Sequence, residues 1–123
     1  MRRTIRTAAA AWAVALTLLL SQAIPAQASV LIKAGGNAAC NLFRPASASI
    51  AKGTTIVWKS TCGTHTVTAY GGNWSKNTTI NQGQSTSRVF KARGVFKFRC
   101  TFHSHKDSTG HWVGMIGKIV VGA

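Results

Sequence analysis

Apolar and polar side chains alternate with a period of two residues in several short stretches of this chain. The clearest is 95–100, where Phe96, Phe98 and Cys100 fall on one face. Such alternation is typical of half-buried β-strands. Comparable stretches lie at 30–32, 43–50, 54–59, 65–69, 85–90 and 118–121, with Gly-containing turns between them. No helical periodicity longer than a turn or two follows residue 28. The pattern therefore indicates about eight short strands, which predict an all-β Greek-key β-sandwich.

The first 28 residues have the pattern of a secretory signal peptide. Three arginines precede an apolar run of about 13 residues, and Ala26 and Ala28 fit a cleavage site after Ala28. A membrane-spanning helix needs about 20 apolar residues, so the run is short for an anchor. We therefore predict export, with a signal peptide at 1–28 and one mature domain at 29–123 that is not stably inserted in a membrane.

Basic residues far outnumber acidic ones. The chain has 15 Lys and Arg against one acidic residue, Asp107, and 12 of the 15 lie in the predicted mature domain. They are spread along the chain, and export argues against a nucleic-acid partner. We expect the basic surface to favour a redox partner with an acidic docking surface, or else a membrane or a cell-wall polymer. A basic surface that serves only solubility is the alternative. The domain is expected to be a monomer.

Three cysteines are an odd number for an exported chain. One interpretation pairs Cys40 with Cys62 as a disulfide and leaves Cys100 as a free thiolate. The alternative pairs Cys100 with one of the other two, which leaves no thiolate for a metal.

Residues of the types that bind soft metals lie at or near the ends of the last two predicted strands. Cys100 ends an alternating stretch, His103 follows within three residues, and Met115 opens the final strand. A thiolate, an imidazole and a thioether favour copper, and a second imidazole completes a two-His, one-Cys site with a weak axial Met. His65, at the start of another strand, is the candidate. If these strand ends meet at one end of a sandwich, the four donors surround one point.

The identity of the second imidazole stays open at this stage. Eleven residues separate His103 from Met115, and they include His105 and His111 as alternative ligands. A zinc site built from Cys100 and these three histidines is a further alternative. With a single carboxylate the chain lacks the ligands for calcium or magnesium and the acids for carboxylate catalysis. A cysteine nucleophile with a histidine base remains as an enzyme alternative, but it leaves Met115 unexplained, and we predict that the chain is not an enzyme.

Several segments resemble the plastocyanin/azurin branch of the cupredoxins across nearly all of the predicted mature chain. They are the stretch 43–67 that ends in His65-Thr66-Val67, then Gly94 to His103 with Cys100-Thr101-Phe102-His103, then Gly114-Met115-Ile116-Gly117-Lys118 and the residues to Val121. The resemblance implies an eight-stranded sandwich and a type 1 copper that cycles between Cu(I) and Cu(II). It implies His65, Cys100, His103 and Met115 as the ligands.

The function that this resemblance implies is one-electron transfer outside the cytoplasm. The exposed edge of the second histidine, ringed by Phe102 and Trp112, would be the exit for the electron. A copper-binding or delivery protein and a metal-free adhesion domain are the alternatives. One departure from plastocyanin-like proteins is the longer predicted loop at 104–113.

Overall fold

The computed structural model describes residues 9–19 and 28–122. Residues 9–19 have no regular secondary structure and their side chains are exposed. Most of the predicted signal peptide, including residues 20–27 ahead of the cleavage site, lies outside the described residues. No helix in the described ranges has the length and apolar character needed to cross a membrane.

Within the described residues, nine β-strands form two packed sheets. They are β1 (Ser29–Ala34), β2 (Phe43–Arg44), β3 (Ser47–Ile50), β4 (Thr54–Ser60), β5 (His65–Tyr70), β6 (Asn77–Ile80), β7 (Ser85–Phe90), β8 (Gly94–Lys106) and β9 (Trp112–Val121). One sheet has the order β2-β1-β4-β7 and the other β3-β9-β8-β5-β6. Two pairings, β1 with β4 and β3 with β9, are parallel. The predicted all-β sandwich is confirmed, with nine strands where about eight were predicted.

Two local differences explain the extra strand. The predicted edge strand at 43–50 is divided at Pro45 into β2 and β3, which lie at the edges of different sheets. Proline cannot donate to a central ladder, so this edge position agrees with its chemistry. No apolar alternation in the sequence indicates β6, because Ile80 is its only fully buried residue.

Aromatic side chains from both sheets form the core. Phe98 of β8 lies edge-on to Phe43 and to Trp58, with ring centroids 4.8 and 5.4 Å apart. All three rings are completely buried. Edge-to-face contacts of this kind add about 0.5–1.5 kcal/mol each to the burial of the rings. These contacts fix the position of β8 relative to the opposite sheet. They therefore also fix the position of Cys100, two residues after Phe98.

The stretch at 104–113 is a hairpin arm rather than a loop. β8 continues past Cys100 to Lys106, and β9 begins at Trp112, so the strands remain paired through His105 and Val113. The prediction that Cys100 ends its strand and that Met115 begins the next is therefore wrong. Period-two alternation breaks down in this region, so the pattern could not indicate the pairing.

Candidate metal centre

A β-bulge in β8 shapes the end of the sandwich that carries the soft donors. Arg99 pairs with Ile116 and Ser104 pairs with Gly114, so the residues from Cys100 to His103 face only Met115 on β9. Extra residues in one strand bend it and re-aim its side chains. The bulge therefore allows His103 to turn towards Cys100 while the ladder continues into the hairpin arm.

Three of the predicted ligands lie together. The Cys100 Sγ atom is 3.8 Å from His65 Nδ1 and 3.6 Å from His103 Nδ1. One donor atom from each of the three lies within 4.8 Å of the others. Cys100 and His65 are completely buried, whereas His103 is exposed. Met115 is also completely buried and stands on β9 opposite the bulge. Together they form a type 1 copper-like donor set.

Hydrogen bonds from β5 hold the cysteine side of this cluster. The backbone N–H of Thr66 donates to Cys100 Sγ over 3.4 Å, and the N–H of Thr101 donates to Thr66 Oγ1 over 2.9 Å. The two bonds tie the first two residues of the bulge, Cys100 and Thr101, to the strand that begins with His65.

The imidazole of His65 is fixed from its other side. Its Nε2 atom lies 2.7 Å from the carbonyl oxygen of Cys62. Because a carbonyl oxygen can only accept, Nε2 carries the hydrogen and Nδ1 presents its lone pair towards Cys100. Burial lowers the pKa of His65, opposed by the Cys62 carbonyl and assisted by the charge of His103. The ring is therefore kept neutral, which is the form that binds metals.

The cysteine pairing is the one that leaves a thiol for the metal. Cys40 and Cys62 form a disulfide, and Cys100 is a free, buried cysteine. The two disulfide sulfurs also lie close to His65, but as a disulfide they offer no thiolate. The alternative pairing of Cys100 is thus excluded by the structure.

His105 and His111 lie away from this cluster. His105 is paired with Val113 in the hairpin arm, and His111 is exposed in the turn, with its Nδ1 2.6 Å from Thr109 Oγ1. Among the described residues, the groups able to hold a metal include neither of them. The structure therefore favours His103 over the two alternatives, and it does not assemble the alternative zinc set.

The surroundings of His103 differ in one respect from the expectation. Phe102 is 60% exposed beside it, in agreement with an apolar rim. Trp112 instead packs against the Arg99 guanidinium, whose carbon lies 3.7 Å from the ring centroid. Arg99 points away from the core, so this stack lies on the outer face of the five-stranded sheet.

Sequence reasoning missed three positions that shape the site. They are the Cys62 carbonyl and two glycines with positive φ, Gly35 and Gly114. A Cβ at Gly35 would lie 2.8 Å from His65 Nε2, and one at Gly114 would clash with the His103 carbonyl oxygen. The sequence shows Gly114 directly before Met115. The need for a glycine there follows from the β-bulge in β8, which the sequence did not predict.

The donor chemistry fits copper. A buried free cysteine, two imidazoles and a buried thioether are the ligands of a type 1 site, and soft sulfur donors select copper over zinc, calcium or magnesium. No carboxylate stands in the cluster.

The proteins that this chain matches are solved structures with a similar fold. No family profile and no curated protein matches the sequence. The chain is similar to a purple cupredoxin from Nitrosopumilus maritimus, with 24% identity, a TM-score of 0.55, and coverage of 78% of this chain and 100% of that one. A reduced Cu(I) form of an amicyanin mutant shares 20% identity at a TM-score of 0.59, covering 79% and 85%. Pseudoazurin from Methylobacterium extorquens shares 25% identity at a TM-score of 0.57, covering 76% and 75%. The chain therefore has the cupredoxin fold, with a type 1 copper-like donor set at one end of its sandwich.

Proposed function

We propose that this chain binds one copper ion through His65, Cys100, His103 and Met115 and carries single electrons. The observation that supports the proposal most directly is the cluster of the Cys100 thiol with two imidazole nitrogens, 3.8 and 3.6 Å from the sulfur. The resemblance in fold to the reduced Cu(I) form of an amicyanin mutant agrees with it. Copper bound by this set would supply a Cu(I)/Cu(II) couple.

The chain contributes a rigid donor set. His65 is buried and hydrogen-bonded to Cys62, and Cys100 is buried and accepts from Thr66. Both are therefore held in place before any metal arrives. Rigid donors limit rearrangement between the two oxidation states, which favours electron transfer.

The exposed edge of His103 is the proposed point at which an electron leaves or enters the site. His103 is the one member of the cluster that is exposed, and Phe102 beside it is exposed as well. A partner that contacts this edge approaches the site without unfolding any strand. In this role the chain transfers electrons and does not transform a substrate.

We also propose that the protein works outside the cytoplasm with an acidic partner. The Cys40–Cys62 disulfide is typical of an oxidising compartment, and β1 begins at Ser29, directly after the predicted cleavage site. Twelve basic residues against one acidic residue in 29–123 favour a partner of negative charge.

The test is the spectrum of the copper-loaded protein. We expect an intense visible absorption and a type 1 paramagnetic signal from Cu(II), and the loss of both in Cys100→Ser. A colourless copper adduct of the wild-type chain would refute the proposal. Copper delivery is the competing function, and it predicts rapid loss of the metal to a chelator, whereas an electron carrier retains it through repeated redox cycles.

A further inference from the structure

A groove that carries two lysines lies on the outer face of the five-stranded sheet, and His103 is not among its lining residues. It has a volume of about 380 Å³ and is lined by Ala46, Ser47, Tyr70, Lys97, Ile116, Gly117 and Lys118. Four strands contribute to it, β3, β9, β8 and β5, which are adjacent in the sheet. A groove across four paired strands has a rigid floor.

Two lysines face each other within this groove. Lys97 of β8 pairs directly with Lys118 of β9, and both side chains are exposed. Residues directly opposite on antiparallel strands have Cβ atoms about 5 Å apart, and like charges at that separation destabilise the pair. The arrangement therefore carries a cost in the free protein that an anion would remove.

The chain itself has no acidic residue to neutralise this pair. Its one acidic side chain, Asp107, belongs to the turn of the hairpin arm, where it accepts hydrogen bonds from Thr109 and His111. The charge of the groove is thus left for an external partner.

Further positive charge and a hydroxyl border the lysines. Tyr70 pairs with Lys97 on the side away from Lys118, and Arg99 follows two residues along β8. Arg99 is held beneath Trp112, and Lys106 also approaches this ring at 5.4 Å. Burial raises the pKa of Tyr70, against the opposing charge of Arg99, so its hydroxyl remains a neutral donor. The groove and its border offer cations and a donor to one ligand.

We propose that this groove is the docking site for an acidic segment of the redox partner, with neighbouring carboxylates of that segment paired to Lys97 and Lys118. The neighbouring ammonium groups match two adjacent acidic side chains, and the apolar Ile116 and Ala46 give the segment a surface to pack on. That the partner exchanges electrons rests on the proposed function; the acidic docking itself rests on the groove.

The test measures binding of a synthetic octa-glutamate peptide to the copper-loaded chain at low salt. Lys97→Gln/Lys118→Gln is compared with Lys52→Gln/Lys91→Gln, which removes the same charge from two exposed lysines in turns outside the groove. We expect the groove variant to bind the peptide about tenfold more weakly than the control variant, with a smaller salt dependence. Equal losses in both variants would overturn the proposal, because they would indicate net charge alone.

Two further measurements distinguish the possible outcomes of this binding test. Polyphosphate of the same charge is titrated in parallel, and equally tight, equally groove-dependent binding of it would overturn an acidic protein segment as the occupant. The visible spectrum is recorded before any peptide is added. Failure of the proposed function appears there as a missing type 1 absorption in the wild-type chain, whereas failure of the docking site appears only in the comparison of the two variants.

Discussion

The imidazole of His65 is held by the backbone of Cys62, whose carbonyl oxygen lies 2.7 Å from Nε2. Cys62 is in turn joined to Cys40, and the Cys40 Sγ atom lies 3.7 Å from the same nitrogen. The disulfide therefore braces the carbonyl that orients the first histidine of the proposed copper site.

Removing this crosslink is expected to loosen the copper. In Cys40→Ser/Cys62→Ser the loop that carries the Cys62 carbonyl loses its tether, and His65 loses part of its orientation. Loss of a group that orients a ligand costs about 10–100-fold in metal affinity. Competition with a chelator measures it, and Cys40→Ala/Cys62→Ala checks that the added hydroxyls are not responsible. Unchanged affinity in both variants would show that the disulfide serves only the stability of the fold.

Gly35 is expected to be intolerant of a side chain. Its φ is +78°, and a Cβ there would lie 2.8 Å from His65 Nε2 and 2.9 Å from the Cys62 carbonyl oxygen. Gly53 is the matched control, because its φ is +88° and nothing lies within 4 Å of an added Cβ. Backbone strain costs each alanine variant about 1–3 kcal/mol. Denaturant unfolding should show a larger loss for Gly35→Ala, and only that variant should shift the visible spectrum. Equal effects would contradict the close packing around His65.

The three histidines of the β8–β9 region are expected to differ sharply in their effect on copper. His103→Ala removes an imidazole that lies 3.6 Å from Cys100 Sγ and should abolish the type 1 spectrum. His105→Ala and His111→Ala should leave it intact, since one side chain belongs to the hairpin arm and the other to the turn. Visible absorption at equal copper loading distinguishes them. Retention of the spectrum in His103→Ala would move the second imidazole ligand to another residue.

Asp107 is expected to order the turn of the hairpin arm. One of its oxygens accepts from the backbone N–H of Thr109 and of His111 and from the Thr109 hydroxyl. The hydrogen bond from the Thr109 hydroxyl is the largest cause that lowers the pKa of Asp107, with the His111 N–H next. A lowered folded-state pKa means that the stabilisation is complete above the unfolded value of 3.8 and is lost as the pH falls through the folded value.

Hydrogen exchange of the turn amides measures this effect. Asp107→Ala should raise exchange at residues 109–111 at neutral pH, whereas Asp107→Asn keeps an oxygen acceptor and should raise it less. In the wild-type chain, exchange relative to the intrinsic rate should increase only at acidic pH. A turn that is equally protected in Asp107→Ala would contradict the role given to this carboxylate.

Much of the fold was predictable because the strands are short, amphipathic and separated by glycine turns. The alternation that places Phe96, Phe98 and Cys100 on one face follows directly from strand geometry and is seen in their burial. The polar strand β6 and the hairpin arm were not predictable, because neither buries a regular row of apolar side chains.

By itself the sequence determined the donor types, since a cysteine, histidines near it and a methionine in the last predicted strand already favour copper. It also determined which faces of the strands are buried, through a period of two residues. Only the tertiary structure decided which histidine joins Cys100, because that choice depends on a bulge that sets Cys100 to His103 against Met115. It alone placed the disulfide against His65 and Lys97 against Lys118, since contacts between residues distant in sequence depend on strand order and register, which local patterns do not contain.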